Sequence, residues 1–322
     1  MKTALECIPC FVRQAAEALE MAVDDGPERE RLLKHLLSEI AAAEWDVMPV
    51  LIAQRVQRVV REESRQADPY RGLKDRMNQM ALDLLPGMAD LARHHRDPRE
   101  AAVRLAIAGN LLDAGSKTRL LPEDLQEHLD GIWNMPLVGS VTELFCAADD
   151  ARRILYLADN AGEIVFDRLL IEALPLTKVT AAVRGSPVIN DATLEDAETA
   201  GITKLVPVIS NGSDAPGTLV DECSEAFRRV FDGADLVIAK GQGNYESLSD
   251  TSKDTFFLLT VKCPVIAADI GAPVGALVVR RKPRRDEETN GNGCDSRNSE
   301  RKAASYVLRD AEVTTHRSHR LA

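Results

Sequence analysis

The chain has 322 residues, 45% of them hydrophobic and 28% charged, enough for a sizeable core in one large or two modest domains. Its formal net charge of -11 argues against general nucleic-acid binding, which calls for a basic surface, though not against a phosphorylated ligand held locally. No stretch approaches the roughly 20 apolar residues of a membrane span.

The opening MKTALECIPCFVRQAAEALEMA is broken early by Glu6, Arg13, Glu17 and Glu20, so it does not read as a signal peptide. Without an export signal, the scattered Cys7, Cys10, Cys146, Cys223, Cys263 and Cys294 read as cytosolic thiols, and a cytoplasmic protein is expected. Residues 1–150 carry helical spacing over Leu5–Val23, Glu28–Ile40, Val47–Glu63, Tyr70–His94 and Arg99–Ala114, with no convincing strand. Asp24-Asp25-Gly26-Pro27, Asp68-Pro69 and Asp97-Pro98 punctuate them, Asp97 being a good N-cap ahead of proline. This half is expected to be a helical domain. In it, Asn110 and Asp113 share a helix face, and Asn110 is a candidate ligand contact. Cys7-Ile8-Pro9-Cys10 has no second CxxC or HxxxH partner, so zinc or redox use of it is a minor expectation.

From Arg152 the pattern changes. Apolar runs at Ile154–Ala158, Val179–Val183, Leu205–Ile209, Leu236–Ala239 and Val265–Ala268 alternate with helical stretches at Ile164–Ala173, Asp191–Ala200 and Thr218–Phe231. This alternation predicts a largely parallel sheet with helices on both faces, and Gly275–Val279 is read as a last edge strand. The α/β domain is placed at 151–280. Residues 281–322 are expected to be a disordered basic tail, since Arg280 onward holds eleven Lys/Arg against seven Asp/Glu.

The chemistry is expected at the ends of these strands. Asp159 and Asn160 follow the first run, with Ala161 and Gly162 opening a helix; alone they read equally well as a capped turn. Asp191 follows the second run, where it also suits an N-cap. Two acids and an amide at one edge give hard oxygen donors, which favour Mg or Mn over zinc. Asn211 lies in the third loop. In the fourth, Lys240-Gly241-Gln242-Gly243-Asn244 offers close backbone approach and a point charge to an anion. Lys262 stands just before the supposed strand Val265–Ala268, a costly position unless it is paired or used. The histidines lie on polar helical stretches or in the tail, so no Ser-His-Asp arrangement is supported.

Taken together, CIPC, DPYRGLKDRMN, AIAGNLLD, LADNAGEIVFD, RGSPVINDATLEDA, VISNGSDAPGT, ADLVIAKGQGNYESL and TVKCPVIA resemble the motifs of the damage-control phosphatase family, in family order from Met1 to about Val279. The resemblance is to its stand-alone microbial branch. It implies an α/β fold, a Rossmann-like three-layer αβα sandwich with an N-terminal all-helical domain. It also implies a phosphatase dependent on a divalent metal (Mn, Co, Ni or Mg) and acting on small phosphorylated metabolites such as sugar phosphates. The family's metal ligands carry over to Asp159, Asn160 and Asp191, and its phosphate or substrate contacts to Lys240, Gly241, Asn244 and Lys262.

Asp159 and Asp191 are the expected catalytic pair, with Gly162 and Asn211 as further phosphate contacts and Glu163 standing behind the ligands. The pocket wall is expected around Asp68, Asn78 and Asn110. The alternatives are an S-adenosylmethionine-dependent carboxyl methyltransferase and a non-catalytic phosphometabolite-binding protein. No nucleic-acid or membrane partner is expected.

Overall fold

The structure, a computed structural model, describes residues 1–109 and 131–284. Seven strands form one sheet: β1 (Leu137–Gly139), β2 (Ile154–Leu157), β3 (Val179–Val183), β4 (Val208–Ser210), β5 (Leu236–Lys240), β6 (Thr255–Thr260) and β7 (Leu277–Lys282). Their order is β1-β7-β6-β5-β2-β3-β4, parallel throughout except between β6 and β7. The chain runs outward from β2 through β3 to β4 and then returns to place β5 on the other side of β2. That reversal is the switch point at which open α/β sheets form ligand crevices.

The central strands are continuous apolar runs because both of their faces are covered. Tyr156, Ile238, Phe256 and Leu258 face one core, while Leu155, Leu157, Val237 and Phe257 face the other. The first core is closed by α4 (Arg71–His94), α5 (Pro98–Ala108), α6 (Val141–Asp150), α7 (Glu163–Ala173) and α8 (Leu194–Thr199). The second is closed by α9 (Glu225–Gly233), α10 (Gly241–Leu248) and α11 (Pro264–Ile270), through Phe227, Phe231, Tyr245, Leu248 and Ile266. The result is a three-layer αβα sandwich.

A third core joins α1 (Ile8–Ala22), α2 (Gly26–Ala42) and α3 (Pro49–Ser64) through Phe11, Leu19, Leu32, Leu36, Ile52 and Val56. Asp97 caps α5 by accepting from Arg99 N and Glu100 N, as the Asp97-Pro98 signal implies, and Asp25 caps α2 by accepting from Glu28 N. The helical half therefore divides. Its first three helices keep their own core, whereas α4 and α5 are a layer of the sandwich.

The strand readings need three corrections. Val265–Ala268 lies inside α11, where Pro264 occupies the first turn, and the strand is Thr255–Thr260 instead. Gly275–Val279 belongs to β7, which is no edge: it lies between β6 and β1, and it continues through Arg281 and Lys282. Leu137–Gly139, in the half read as free of strands, supplies the edge strand β1. Arg281 pairs with Asp254 at 2.7 Å and Glu143 at 3.1 Å, so the basic segment begins as structure. Residues 285–322 of the tail, Asn110 and Asp113 lie outside the described residues.

Candidate functional site

The turn after β2 is zipped to the turn after β3. Ala161 N donates to Asn190 O at 2.9 Å, Ala192 N donates to Asp159 O at 2.7 Å, and Asn160 and Asp191 pair as an antiparallel bridge. Asp159, Asn160 and Asp191, from two separate loops, thus meet at one edge, all buried. Thr193, not Asp191, is the N-cap of α8, in a capping box with Asp196, so Asp191 is available for another role. The loop that delivers Asp191 contains Ile189 at φ 45°. A β-branched residue in the left-handed region is strained, as loops at functional sites often are.

Arg184, at the end of β3, underlies both aspartates. Its Nε donates to Asp191 Oδ2 at 2.6 Å, and its Nη2 lies 3.7 Å from Asp159 Oδ1. Nη1 donates to Thr218 Oγ1 and Asn244 Oδ1. The guanidinium is 2% exposed, which means it offsets the mutual repulsion of two carboxylates without facing solvent itself. Asn160 Nδ2 donates to Asp159 Oδ2 at 2.9 Å and Glu163 Oε2 at 3.4 Å, an arrangement in which Oδ1 is the atom that could hold a cation. Gly241, at φ +78°, allows a close approach to the first aspartate: a Cβ there would sit 1.9 Å from Asp159 Oδ2. The glycine is required by the aspartate.

Other expected contacts have different work. Lys240 is fully buried, and its Nζ donates to Ala106 O at 2.7 Å and to Glu163 Oε1 and Asp167 Oδ1 at 2.6 Å each. With three acceptors on its three protons it has none for a phosphate, and it lies beneath the site. Tyr156 Oη also donates to Asp167 Oδ1, at 2.8 Å. Burial pushes the Glu163 and Asp167 carboxyls up, and the single Lys240 ammonium offsets only part of that cost.

Gly162 N donates to Asn78 Oδ1 at 2.7 Å, while Asn78 Nδ2 donates to Asp196 Oδ1 at 2.8 Å. Asn78 therefore braces the turn instead of walling the pocket, and Asp68 sits 3.1 Å from Lys74 in the same brace. Asn244 gives Nδ2 to Lys240 O at 2.8 Å, and Asn211 Oδ1 accepts from Ser213 N at 2.9 Å; both are buried in loop structure. Lys262 follows β6 instead of entering a strand, and it is exposed at the pocket.

A cavity of about 380 Å³ opens over Asp159, Asn160 and Asp191. Its far wall comes from α1 and the start of α3, including Cys7, Cys10, Arg13, Gln14 and Val50, and its near rim carries Gln242, Glu246, Lys262 and Cys263. Buried Gln14 Oε1 and Gln242 Oε1 have no protein partner. Burial pushes the Glu246 carboxyl up to about 7 against a hydrogen bond from Gln242. Sequence reasoning missed this wall, and it gave no role to Arg184, which closes an apolar strand and opens the RGSPVINDATLEDA segment. Among the described residues no three His, Cys, Asp or Glu side chains are spaced to hold a metal ion. The set here is two carboxylates and an amide, oxygen donors that fit a hard divalent cation. No described helix is long and apolar enough to cross a membrane.

Comparison with known proteins converges on one family. Residues 3–278 match the damage-control phosphatase ARMT1-like domain. A damage-control phosphatase of Archaeoglobus fulgidus is 35% identical over 87% of this chain and 99% of its own. An uncharacterized protein of Methanocaldococcus jannaschii is 34% identical over 86% of this chain and 94% of its own. The crystal structure of a DUF89 family protein from Pyrococcus horikoshii superposes with a TM-score of 0.79 at 35% identity, covering 87% of this chain and 99% of that one. The match over nearly the whole chain, the two relatives and the shared fold together show that this chain belongs to the ARMT1-like damage-control phosphatase family.

Proposed function

We infer that the chain is a metal-dependent phosphatase that hydrolyses phosphomonoesters of small metabolites, damaged or surplus sugar phosphates among them. The observation that carries this reading is the convergence of Asp159, Asn160 and Asp191 on one cavity whose rim bears the exposed Lys262. These three residues would hold a divalent cation such as Mn or Mg, which supplies charge neutralisation at phosphoryl oxygen and a bound water of lowered pKa. Lys262 offsets phosphate charge from the rim and Arg13 from the far wall. Gln14 Oε1 and Gln242 Oε1 accept from ligand hydroxyls, consistent with a polyhydroxylated substrate. Glu246, with its carboxyl near 7, can donate to or accept from a hydroxyl near neutral pH.

Two acids in the turns after β2 and β3 suit this better than a methyltransferase site, which calls for a glycine-rich turn there. The test is phosphate release from a panel of phosphometabolites with Mn, Co, Ni or Mg, for wild type and Asp159→Ala. Wild type should turn over at least one ester in a metal-dependent manner, and the folded variant should turn over none. Full activity in the variant would sink the assignment.

A further inference from the structure

The CIPC segment, which the phosphatase reading leaves unused, lies on the cavity wall. Cys7 is the N-cap of α1 and Cys10 its third residue, with Pro9 between them. Positions three apart on a helix bring their Cβ atoms to about 5–6 Å, within easy reach of the roughly 4 Å separation that a disulfide needs. Both are free thiols, both are half-buried, and both line the cavity that contains Asp159, Asn160 and Asp191. Arg13 Nη2, one turn further on, donates to Cys10 Sγ at 3.6 Å. Two independent features thus coincide: a vicinal dithiol at a helix start, and a wall position facing the acidic cluster.

We propose that Cys7 and Cys10 form a thiol-modification site for low-molecular-weight disulfides, and that its thiolated state closes the cavity. The Cys10 thiolate attacks one sulfur of a disulfide RSSR, forming a Cys10–S–SR bond and releasing RS⁻. Cys7 gives its proton to solvent and attacks the Cys10 sulfur, forming the Cys7–Cys10 bond and releasing the second RS⁻. Overall the protein dithiol and RSSR become a protein disulfide and two RSH, the dithiol being oxidised and RSSR reduced. Burial pushes the Cys7 thiol up, which leaves the first attack to Cys10; Cys7, one helical turn away, then acts on the mixed disulfide held beside it. While R remains on Cys10 it occupies a cavity of about 380 Å³, and resolution clears it.

The consequence for turnover rests on the phosphatase reading, but the thiol chemistry does not. The test incubates the full chain with oxidised glutathione and follows intact mass, cysteine-mapped peptides and phosphate release. Wild type should lose two hydrogens, yield a Cys7–Cys10 bridged peptide, and revert on reduction. Cys7→Ser should stop at one glutathionyl adduct on Cys10 and lose turnover until it is reduced. Cys10→Ser should take no adduct at Cys7 and keep its turnover.

Asp159→Ala should form the same bridge as wild type, which separates this proposal from the phosphatase assignment. The proposal is overturned if the wild-type dithiol survives the treatment, if Cys7 bridges to Cys263 instead, or if the Cys10 adduct leaves turnover of Cys7→Ser unchanged.

Discussion

Arg184 and Lys240 are both buried cations, and each stands between two carboxylates. Arg184 holds Asp191 at 2.6 Å and lies 3.7 Å from Asp159, while Lys240 holds Glu163 and Asp167 at 2.6 Å each. The charge count is the same, but the surroundings are not. Asp159 and Asp191 open onto the cavity, whereas Glu163 and Asp167 are sealed between α7, α5 and β5 at 1% exposure or less. A carboxylate pair that a ligand can reach is able to exchange its neutralising partner for a cation. A sealed pair can only stabilise or strain the fold. Arg184 suits the first task because its planar fork reaches several acceptors at once, and Lys240 suits the second because a compact ammonium fits three acceptors around one point.

Breaking each cluster should therefore give different signatures. The largest loss of stability is expected for Lys240→Met, which strands two buried carboxyls; breaking a buried pair costs about 3–5 kcal/mol. Thermal denaturation should show a large fall in Tm, and an unchanged Tm would contradict the structural role. Arg184→Lys should act mainly on function: a residue that orients metal ligands typically contributes about 10–100-fold in metal affinity. Calorimetry with Mn should show weaker binding while circular dichroism keeps the wild-type spectrum.

Asn78→Ala should cost roughly 1–3 kcal/mol, since it takes the acceptor from Gly162 N–H and the donor from Asp196 Oδ1, both buried. Turnover should fall with it, because the Asp159 turn loses its brace; a Tm loss with full turnover would detach the brace from the site. The smallest effect is pH-dependent. Glu246 is pushed from 4.5 to about 7, so the folded state holds a proton that the unfolded state has lost. Stability should fall as pH rises between these values, and Glu246→Gln should flatten the profile of Tm against pH over that interval.

The chain declared much of this by itself. Ile154–Ala158 followed by Asp159-Asn160-Ala161-Gly162 reads as strand, turn and helix because the apolar run stops abruptly at two Asx residues, and the structure has that order. The strand at Thr255–Thr260 was overlooked in favour of Val265–Ala268, since a short apolar run does not itself distinguish a buried strand from a buried helix; Cys263-Pro264 was the signal that a helix begins.

Lys240 looked like a phosphate contact because a lysine before Gly241-Gln242-Gly243 fits one. Its real acceptors, Glu163 and Asp167, are far away in sequence and become neighbours only when β5 packs beside α7. Arg184 was passed over for the same reason, as its two aspartates come from different loops. The far wall of the cavity depends on how α1 and α3 sit over the sheet edge, and no local pattern encodes that.

The most direct test of the account compares the two clusters in one assay: metal-dependent phosphate release by Asp191→Asn and by Glu163→Gln, each shown to be folded by circular dichroism. The account predicts that Asp191→Asn loses metal binding and turnover while its Tm stays close to wild type. Glu163→Gln should retain metal-dependent turnover and change chiefly in Tm. Turnover that survives in Asp191→Asn and disappears in Glu163→Gln would mean that the sealed cluster, not the open one, is the working site.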